Sequence, residues 1–460
     1  MRNATQHTRQ LLERFESRNI TYFENDGNWP IVWQRAKGMH VWDAEGEKYV
    51  DLTSAFGVAA TGHARPEVVR AGVRQMKTLM HAMGDVHPHA LKAELCQELS
   101  RLTFERWTRR NGFMKYSGAK RWGKTIFCNS GSEAVEAALK TATAATGRKE
   151  VIAFRGAYHG LGYGALNPTH RDHFKTLFNK QITQFAHFVH FPETDDPSIR
   201  NSSESFSRLN PNTAPLAQVL EEVQTCFKNH DIGAILLEPV QARGGNHIPP
   251  PTFLVELRKL CNQHGALLVL DEIYTGFGRT GKWFACEHAR TLPDLICIGK
   301  ALTGGFPLSA CIGRDDWMDK AWPISNGAAI HTSTFLGHPV GCAMALEQIR
   351  VIKEHQLIAR AAKQGRLFKR LLEEVADQFQ PYAEARAIGL MGALEFRTPK
   401  GETDGAKVFN LVCRMLDEGY IILPEGDHGH VMGFTPPLII SESTMRRAFK
   451  TLIRTGHAAE

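Results

Sequence analysis

Short, continuous runs of apolar residues constrain most strongly how this chain can fold. They are 124–128, 150–154, 232–240, 265–272 and 294–302. Runs of this length without polar alternation suit strands that are buried on both faces, as in a mostly parallel sheet. Residues 132–147 and 252–265, which lie between such runs, carry helical patterns that end at a glycine, a common helix C-cap. We therefore expect an α/β fold built around one large sheet.

The two ends of the chain differ from this central pattern. Residues 35–52 alternate around an Asp-Ala-Glu-Gly turn and predict a β-hairpin, whereas 342–377 are helical and are followed by short strands and a last helix. A chain of 460 residues also exceeds what one small core accommodates. We predict a large domain over 76–345 with a mostly parallel mixed sheet, and a smaller α+β domain formed by 1–75 and 346–460.

Composition excludes several classes of protein. No run of about 18 apolar residues occurs, so we expect no membrane span and no membrane partner. The first 19 residues are polar and charged and lack the apolar core of a signal peptide. The nine cysteines are odd in number and form no C-x-x-C motif, which favours free thiols in a reducing compartment. We therefore predict a cytoplasmic protein.

Positive charge is concentrated in one segment. The net charge is +7, and residues 101–124 alone contain eight Lys or Arg and one Glu, mixed with aromatic residues. Such a mixture is conceivable as a nucleic-acid-binding patch. No recognisable binding motif accompanies it, so we interpret the segment as a solvated surface insertion and expect no nucleic-acid partner.

Two groups of histidines raise the question of a metal site. His81, His87 and His89 form one group, and His428 and His430 form the other. Neither group has a further ligand at a spacing typical of a zinc site. We interpret both groups as loop or interface residues and predict no metal site.

Chemically distinctive residues follow each apolar run. The sequence Ser130-Gly131-Ser132 follows the first run and opens a helix, and Tyr158 lies in a loop after the second. Glu238, Asp271 and Lys300 lie at or just after the ends of the other three runs. Because ligands bind outside the carboxyl ends of strands in open α/β sheets, we expect these residues at one edge of the sheet.

This set of residues suits pyridoxal 5'-phosphate (PLP). A helix N-terminus after Ser130 suits a phosphate, and an aromatic ring such as that of Tyr158 offers a stacking face. A buried Asp271 can hold a pyridine nitrogen protonated, and Lys300 can form a Schiff base. Taken singly, each residue has a structural explanation as a helix cap, a core residue, a paired carboxylate such as Glu238, or an exposed lysine. Their joint occurrence in this order favours PLP.

A nucleotide site is an alternative, because Gly276, Gly278 and Gly281 spell G-x-G-x-x-G and precede a lysine. A dinucleotide motif needs its glycines to open a long helix, but Pro293 follows within a dozen residues. A P-loop needs Ser or Thr after its lysine, and Trp283 stands there. We predict that these glycines allow a tight loop instead.

The motifs FCNSGSEAVEAALKTA, FRGAYHG, LLEPVQARGG, LLVLDEIYTGFGRTGKW, DLICIGKALTGGFPLSA and HTSTFLGHPVGCAMAL resemble successive signatures of the class III (ω-type) PLP-dependent aminotransferases. The resemblance extends from about residue 29 to the C-terminus. It implies the PLP-dependent transferase type I fold, PLP as cofactor, and a homodimer with shared active sites.

By position, the resemblance implies cofactor-binding roles for Gly131, Ser132, Tyr158, Glu238, Asp271, Ile273, Lys300 and Thr334. Lys300 would be the Schiff-base lysine and Asp271 would pair with the ring nitrogen, so we predict both as catalytic residues. Tyr158 and Ile273 would contact opposite faces of the ring. Thr334 would reach the phosphate from the partner subunit.

Departures from the family pattern bear on the substrate. Many relatives place an arginine before F-x-P-P-L to bind an α-carboxylate, where this chain has Gly433, and 4-aminobutyrate aminotransferases have an arginine where this chain has Leu161. Glu238 is then free to meet a substrate amine, and Phe56 would add apolar surface. We expect an amine or ω-amino donor and a 2-oxo acid acceptor such as pyruvate or 2-oxoglutarate. Another arginine, such as Arg243, remains a candidate carboxylate clamp.

Two alternatives stay open at this point. A PLP-dependent aminomutase or amino-acid racemase or epimerase on the same scaffold would share Lys300 and Asp271, so the core motifs do not separate these activities. A non-catalytic relative that binds RNA or a protein partner through 101–124 is the second alternative. The intact lysine, aspartate and phosphate-binding turn argue against it.

Overall fold

The computed structural model describes residues 3–24, 29–109, 122–193 and 210–457. Residues 110–121, half of the basic segment 101–124, lie outside the described residues, so the interpretation of that segment stays a prediction. Within the described part of the chain, no helix has the length and apolar character needed to cross a bilayer.

The strands are, in chain order, β1 (Trp33–Lys37), β2 (His40–Asp43), β3 (Lys48–Asp51), β4 (Gly123–Cys128), β5 (Glu150–Phe154), β6 (Ala186–Val189), β7 (Phe191–Pro192), β8 (Thr213–Ala214), β9 (Ile232–Leu237), β10 (Leu267–Asp271), β11 (Leu295–Ile298), β12 (Ser309–Arg314), β13 (Ala383–Ile388), β14 (Met391–Phe396), β15 (Tyr420–Ile421), β16 (Leu423–Glu425) and β17 (Val431–Phe434).

The helices are, in chain order, α1 (Asn3–Phe15), α2 (Ser54–Gly57), α3 (Pro66–Thr78), α4 (Ala90–Leu102), α5 (Phe104–Arg109), α6 (Gly131–Thr146), α7 (Tyr163–Leu166), α8 (Asp172–Lys175), α9 (Leu216–Asn229), α10 (Thr252–His264), α11 (Asp315–Ala321), α12 (Pro339–Glu354), α13 (Leu357–Gln378), α14 (Gly405–Asp417) and α15 (Glu442–His457).

The largest sheet contains seven strands among the described residues, in the order β4-β12-β11-β10-β9-β5-β6. Strand β12 runs antiparallel to both neighbours, β4 and β11. Strands β11, β10, β9, β5 and β6 pair in parallel. The expected mostly parallel mixed sheet is confirmed. It brings the carboxyl ends of β4, β5, β9, β10 and β11 to one edge.

Every residue of β9, β10 and β11 is buried, which explains why their sequences lack polar alternation. The alanine-rich helix α6 packs on one face of the sheet, where its small side chains allow close approach. Helices α6 and α10 end at Gly147 and Gly265, whose φ angles of 76° and 62° are left-handed. Both predicted glycine caps are therefore confirmed.

The two ends of the chain meet in a smaller α+β region. The predicted hairpin is formed by β2 and β3, and β15 adds to it in parallel through the pairs Tyr420↔Val50 and Ile421↔Asp51. A second sheet, β13-β14-β17-β16, is covered by α13 and α14. The expected small domain from both chain ends is confirmed. The domain limits at 75/76 and 345/346 stay a prediction.

Candidate active site

A cavity of about 400 Å³ opens at the edge where the strands of the large sheet end. Its lining includes seven of the residues expected from the sequence, which are Gly131, Ser132, Tyr158, Glu238, Asp271, Ile273 and Lys300. They follow the ends of five different strands. The parallel arrangement of these strands is what brings residues far apart in the chain to one site.

Asp271 ends strand β10 and is held from two directions. Its Oδ2 atom lies 2.8 Å from Nδ1 of His159, and its Oδ1 atom accepts a hydrogen bond of 3.1 Å from the backbone N–H of Ile273. His159 is itself fixed by a 2.9 Å hydrogen bond from its backbone N–H to Oγ1 of Thr169. Both side chains are buried, so the carboxylate has a defined orientation.

Lys300 follows β11 after a single glycine and begins a short 3₁₀ turn. Its backbone has φ +40°, an uncommon left-handed conformation for a residue with a side chain. Its Nζ atom lies 4.3 Å from the centroid of the Tyr274 ring. Burial lowers the pKa of Lys300, and the carboxylates of Asp271 and Glu238 counteract that shift. Burial therefore favours the neutral amine, the form that acts as a nucleophile or base.

Glu238 lies directly after β9 and is almost fully buried. Its two carboxyl oxygens accept hydrogen bonds from the backbone N–H groups of Tyr158, at 3.0 Å, and Ala242, at 3.1 Å. Burial raises the pKa of Glu238 to about 7, an effect that His159 opposes and Asp271 reinforces. The side chain therefore ties two loops of the cavity together and titrates near neutral pH.

The N-terminus of helix α6 forms the other end of the cavity. Ser130 caps the helix by accepting a hydrogen bond from the N–H of Glu133, and Glu133 accepts one from the N–H of Asn129. The N–H groups of Gly131 and Ser132 lie in the first helical turn, where no preceding turn supplies carbonyl partners. Such an end binds anions.

Two glycines keep this helix end accessible. A Cβ atom on Gly160, which has φ +119°, would lie 2.6 Å from Cβ of Ser132. A Cβ atom on Gly131 would lie 2.9 Å from Cδ1 of Ile273. Real Cβ atoms do not approach other atoms so closely, so side chains at these positions would displace the walls of the cavity.

Comparison with known proteins identifies the family. A profile of the class III aminotransferases matches residues 21–455. The chain belongs to this family. The acetylornithine aminotransferase of Methanopyrus kandleri is 32% identical over 446 residues, covering 96% of this chain and 97% of that protein. The 5-aminovalerate aminotransferase DavT of Pseudomonas aeruginosa is 34% identical, with 92% of each chain covered.

A solved structure agrees with this assignment. A transaminase from the marine bacterium Virgibacillus superposes with a TM-score of 0.84 over 99% of this chain and all of its own, at 22% sequence identity. The fold is therefore the PLP-dependent transferase type I fold. This class III aminotransferase is an enzyme that uses PLP to transfer an amino group from a donor to a 2-oxo acid acceptor.

The cavity of this aminotransferase fits PLP by its chemistry. At one end of the cavity, the N-terminus of α6 offers N–H groups to a phosphate, and Gly131 and Gly160 leave room there because they lack side chains. The buried, oriented carboxylate of Asp271 is a suitable partner for a protonated ring nitrogen, and the amine of Lys300 is a suitable group to bond the aldehyde carbon. Tyr158 and Ile273 both line the space between, as a stacked ring requires. The site residues implied by the resemblance are thus mutually compatible, although their roles stay predictions.

The glycine-rich stretch after Asp271 forms a loop of turns in the aminotransferase, and no long helix begins there. Buried Glu272 organises this loop by accepting 2.8 Å hydrogen bonds from the N–H groups of Ala285 and Cys286. Gly278 and Gly281 have φ values of 99° and 84°. The structure therefore supports the tight-loop interpretation over a dinucleotide motif.

Phe56 and Thr334, two residues predicted for the site, are not among the described residues that line this cavity. Phe56 is 52% exposed and lies in α2, where Ser54, Ala55 and Phe56 all have positive φ values. Thr334 is exposed in a turn, and it was assigned to the site of the partner subunit. Both assignments stay predictions.

The structure also adds residues to the site. Tyr274 lines the cavity together with Arg243, which the sequence had offered as a candidate carboxylate clamp, and Glu425 lies beside Arg243. Tyr274 comes three residues after the end of β10, so extending the strand-end argument slightly would have found it, and Arg243 comes six residues after the end of β9. Glu425 comes from the C-terminal sheet, and the sequence gives no comparable signal for it.

A cluster away from the cavity brings metal-type ligands together. Among the described residues, Glu150, His187 and His230 have ligand atoms within 4.8 Å of one another. The two histidine rings stack at 3.7 Å with an interplanar angle of 30°. Zinc ligands are arranged tetrahedrally around the ion, whereas these two rings lie face to face with a tilt of 30°. Glu150 instead lies within ion-pairing distance of both rings, at 3.6 and 3.7 Å.

Proposed function

We propose that Lys300 and Asp271 carry out the amino-group transfer of this class III aminotransferase. The observation that supports the proposal is that both line one cavity, where the carboxylate of Asp271 acts on the pKa of the Lys300 amine. PLP, when bound, supplies a ring that accepts the electrons left when the donor carbon loses a proton. Lys300 would hold the cofactor through Nζ, and its neutral amine would take up and return that proton.

In this proposal, Asp271 keeps the ring nitrogen protonated. An ionised carboxylate only accepts hydrogen bonds, so Nδ1 of His159 must donate to it. That bond fixes the orientation of the Asp271 carboxylate. Gly131 and Ser132 bind the phosphate through backbone N–H groups, and Tyr158 and Ile273 hold the ring between them.

The substrates in this proposal are an amine or ω-amino donor and a 2-oxo acid acceptor such as pyruvate or 2-oxoglutarate. The similarity to an aminotransferase named for 5-aminovalerate, whose amino group is at the end of the chain, supports the donor class. Glu238 is positioned to meet the donor amine. Phe56 contributes apolar surface to the substrate pocket.

We also propose a homodimer with shared active sites, working in the cytoplasm. Val69, Val73 and Met76 follow helical spacing on α3 and are each at least 41% exposed, and Met80 beyond the helix is also exposed. Exposed apolar side chains of this kind suit a second copy of the chain. Thr334 would then contact the phosphate bound by the partner subunit. Free, mostly buried cysteines support a reducing compartment.

Chemical trapping tests the role of Lys300. Borohydride reduction of the holoenzyme, followed by proteolysis and mass spectrometry, should place the cofactor mass on the peptide that contains Lys300. Lys300→Ala should lose this label and lower the rate of amino transfer by roughly 10²–10⁴-fold, the range for a lost general base. Lys282→Ala is the matched control, because Lys282 is exposed on the glycine-rich loop. A label on another lysine, or normal turnover by Lys300→Ala, would refute the proposal.

A further inference from the structure

The cavity contains a cation that the proposed chemistry leaves unused. Among the described residues, Lys300 and Arg243 are the cationic side chains that line it. Lys300 is committed to the cofactor under the proposed function, on which this inference rests. Every 2-oxo acid acceptor carries a carboxylate that must be bound beside the reacting carbonyl. We propose that Arg243 binds that carboxylate, and that Glu425 is the counterion that Arg243 exchanges for it.

Arg243 is anchored at its backbone while its side chain remains accessible. Its backbone carbonyl accepts a 3.0 Å hydrogen bond from the N–H of Gly426. Its guanidinium lies over the Tyr158 ring, 4.8 Å from the centroid, and the side chain is 38% exposed. Stacking on an aromatic face suits a guanidinium and leaves its edge free for hydrogen bonds.

The loop that carries Arg243 is fixed to the C-terminal sheet. The carbonyl of Gly245 accepts a 2.8 Å hydrogen bond from buried Arg386, and Nδ2 of Asn246 donates to the carbonyl of Gly392 at 2.9 Å. Gln241 and His247 close the base of the loop as a β-bridge. The backbone that carries Arg243 is therefore held in place before a ligand arrives, which reduces the entropy lost on binding.

Glu425 contacts Arg243 only loosely. Its Oε2 atom lies 3.9 Å from Nε of Arg243, within reach for an ion pair but beyond hydrogen-bond distance. No hydrogen bond joins the Arg243 guanidinium to any other described residue. The planar donor edge that binds a carboxylate bidentately is therefore available.

A glycine makes room for this counterion. Gly433 lies on β17 opposite β16, and a Cβ atom there would lie 2.7 Å from Cγ of Glu425. A side chain at 433 would therefore displace Glu425 from its position beside Arg243. The ion pair therefore joins two parts of the fold. Its arginine comes from the loop after β9, and its carboxylate comes from the C-terminal sheet, where Gly433 leaves room for it.

This arrangement explains how one cavity accepts two kinds of substrate. When a 2-oxo acid enters, its carboxylate takes the bidentate position on Arg243 and Glu425 moves away. When a donor without a carboxylate enters, Glu425 stays beside Arg243 and remains its counterion. The exchange moves no electrons and requires no further reactant.

Binding and half-reaction measurements on Arg243 variants of the holoenzyme test the proposal. Arg243→Met should raise the KM for 2-oxoglutarate and the Kd for glutarate, a non-reacting dicarboxylate, by roughly ten- to a hundredfold, as expected for a lost charged hydrogen-bond pair. Arg243→Lys should recover part of the affinity. In the same variants, the half-reaction with a carboxylate-free amine should change by a smaller factor than the KM for 2-oxoglutarate, because that donor offers Arg243 no carboxylate.

The matched control is Arg171→Met. Arg171 lies over Phe174, a ring that also neighbours Arg243, but it pairs with Asp427 and does not line the cavity. Unchanged cofactor absorbance and Tm show that each variant is folded and loaded. An Arg243→Met enzyme that binds glutarate and 2-oxoglutarate like the parent overturns the proposal. The Lys300→Ala variant tests the proposed function separately. If it loses the amine half-reaction but still binds glutarate like the parent, the result concerns the role of Lys300 and not that of Arg243.

Discussion

Nδ1 of His159 lies 2.8 Å from Oδ2 of Asp271, and the two side chains are buried together at the end of strand β10. Because a carboxylate does not donate, the histidine must present its proton to the aspartate. Under the proposed function, His159 is therefore a positioning residue that acts on the cofactor through Asp271. This relationship gives the first testable consequence of the structure.

Replacing His159 with Phe keeps an aromatic ring but removes the donor to Asp271. We expect kcat/KM of the donor half-reaction to fall by roughly ten- to a hundredfold, corresponding to about 1.5–3 kcal/mol for a hydrogen bond to a charged group. His159→Asn, whose side-chain amide can occupy the place of Nδ1, should recover part of this loss. The pH dependence of the cofactor absorbance measures the effect on the ring nitrogen. An unaltered profile in His159→Phe would show that the histidine only fills space.

Alanine substitutions of Gly160 and Gly131, the two glycines beside the N-terminus of α6, should weaken PLP binding to different extents. Gly160→Ala places a Cβ 2.8 Å from the backbone Cα of Ser132 and has an unfavourable φ of +119°, so relaxation is difficult. We expect a loss of PLP affinity of at least roughly tenfold and about 1–3 kcal/mol of stability. Titration of the apoenzyme with PLP and thermal unfolding measure both effects.

Gly131→Ala is the milder companion, because its nearest contact is the mobile Cδ1 atom of Ile273, at 2.9 Å. Its loss of PLP affinity should be smaller, and adding Ile273→Val, which removes that carbon, should restore much of it. Equal effects of the two alanine substitutions, or no rescue by Ile273→Val, would contradict the idea that Gly160 and Gly131 keep the N-terminus of α6 accessible for steric reasons.

The buried ion pairs around Glu395 predict how stability depends on pH. Burial alone would raise the pKa of Glu395, but the guanidinium groups of Arg386 and Arg397 lower it to about 2 from an ordinary value of 4.5. Because the folded-state pKa is the lower one, the stabilisation is complete above about 4.5 and is lost as the pH falls towards 2.

Glu395→Gln should therefore cost roughly 3–5 kcal/mol at neutral pH, because Arg386 and Arg397 lose their buried partner. Its free energy of unfolding should also fall less steeply than that of the parent between pH 5 and about pH 3. Urea unfolding over this pH range checks both. Arg446, which pairs with Glu442 on the surface, offers a control pair whose disruption should cost at most about 1 kcal/mol.

Five strands of the large sheet, and the residues that line the cavity near their ends, were predictable from the sequence for one physical reason. Buried parallel strands have continuous apolar sequences, and their carboxyl ends share an edge, so Asp271 and Lys300 could be assigned to one site from chain order alone. The same logic does not reach Glu425, because its place beside Arg243 depends on how β16 lies on β17. The predicted role of Thr334 rests on a second subunit, which one chain's sequence does not position.

The pairing of Arg243 with Glu425 also predicts how acceptor binding depends on pH. Burial raises the pKa of Glu425 to about 7, and the nearby Arg243, Lys300 and Arg171 oppose that shift while Glu238 reinforces it. Below pH 7, Glu425 is therefore mostly neutral and competes weakly for Arg243. Above pH 7, it is ionised and competes with the acceptor carboxylate, so the KM for 2-oxoglutarate should rise between pH 6 and 8.

Glu425→Gln removes the competing charge while keeping the size of the side chain. We expect this variant to have a lower KM for 2-oxoglutarate than the parent at pH 8, with little difference at pH 6, where the parent residue is already mostly neutral. The KM for a carboxylate-free amine should show no matching change, because that substrate does not use Arg243. Steady-state kinetics between pH 6 and 8 at fixed ionic strength test this prediction. If the KM of Glu425→Gln for 2-oxoglutarate rises with pH as it does in the parent, another group causes the pH dependence.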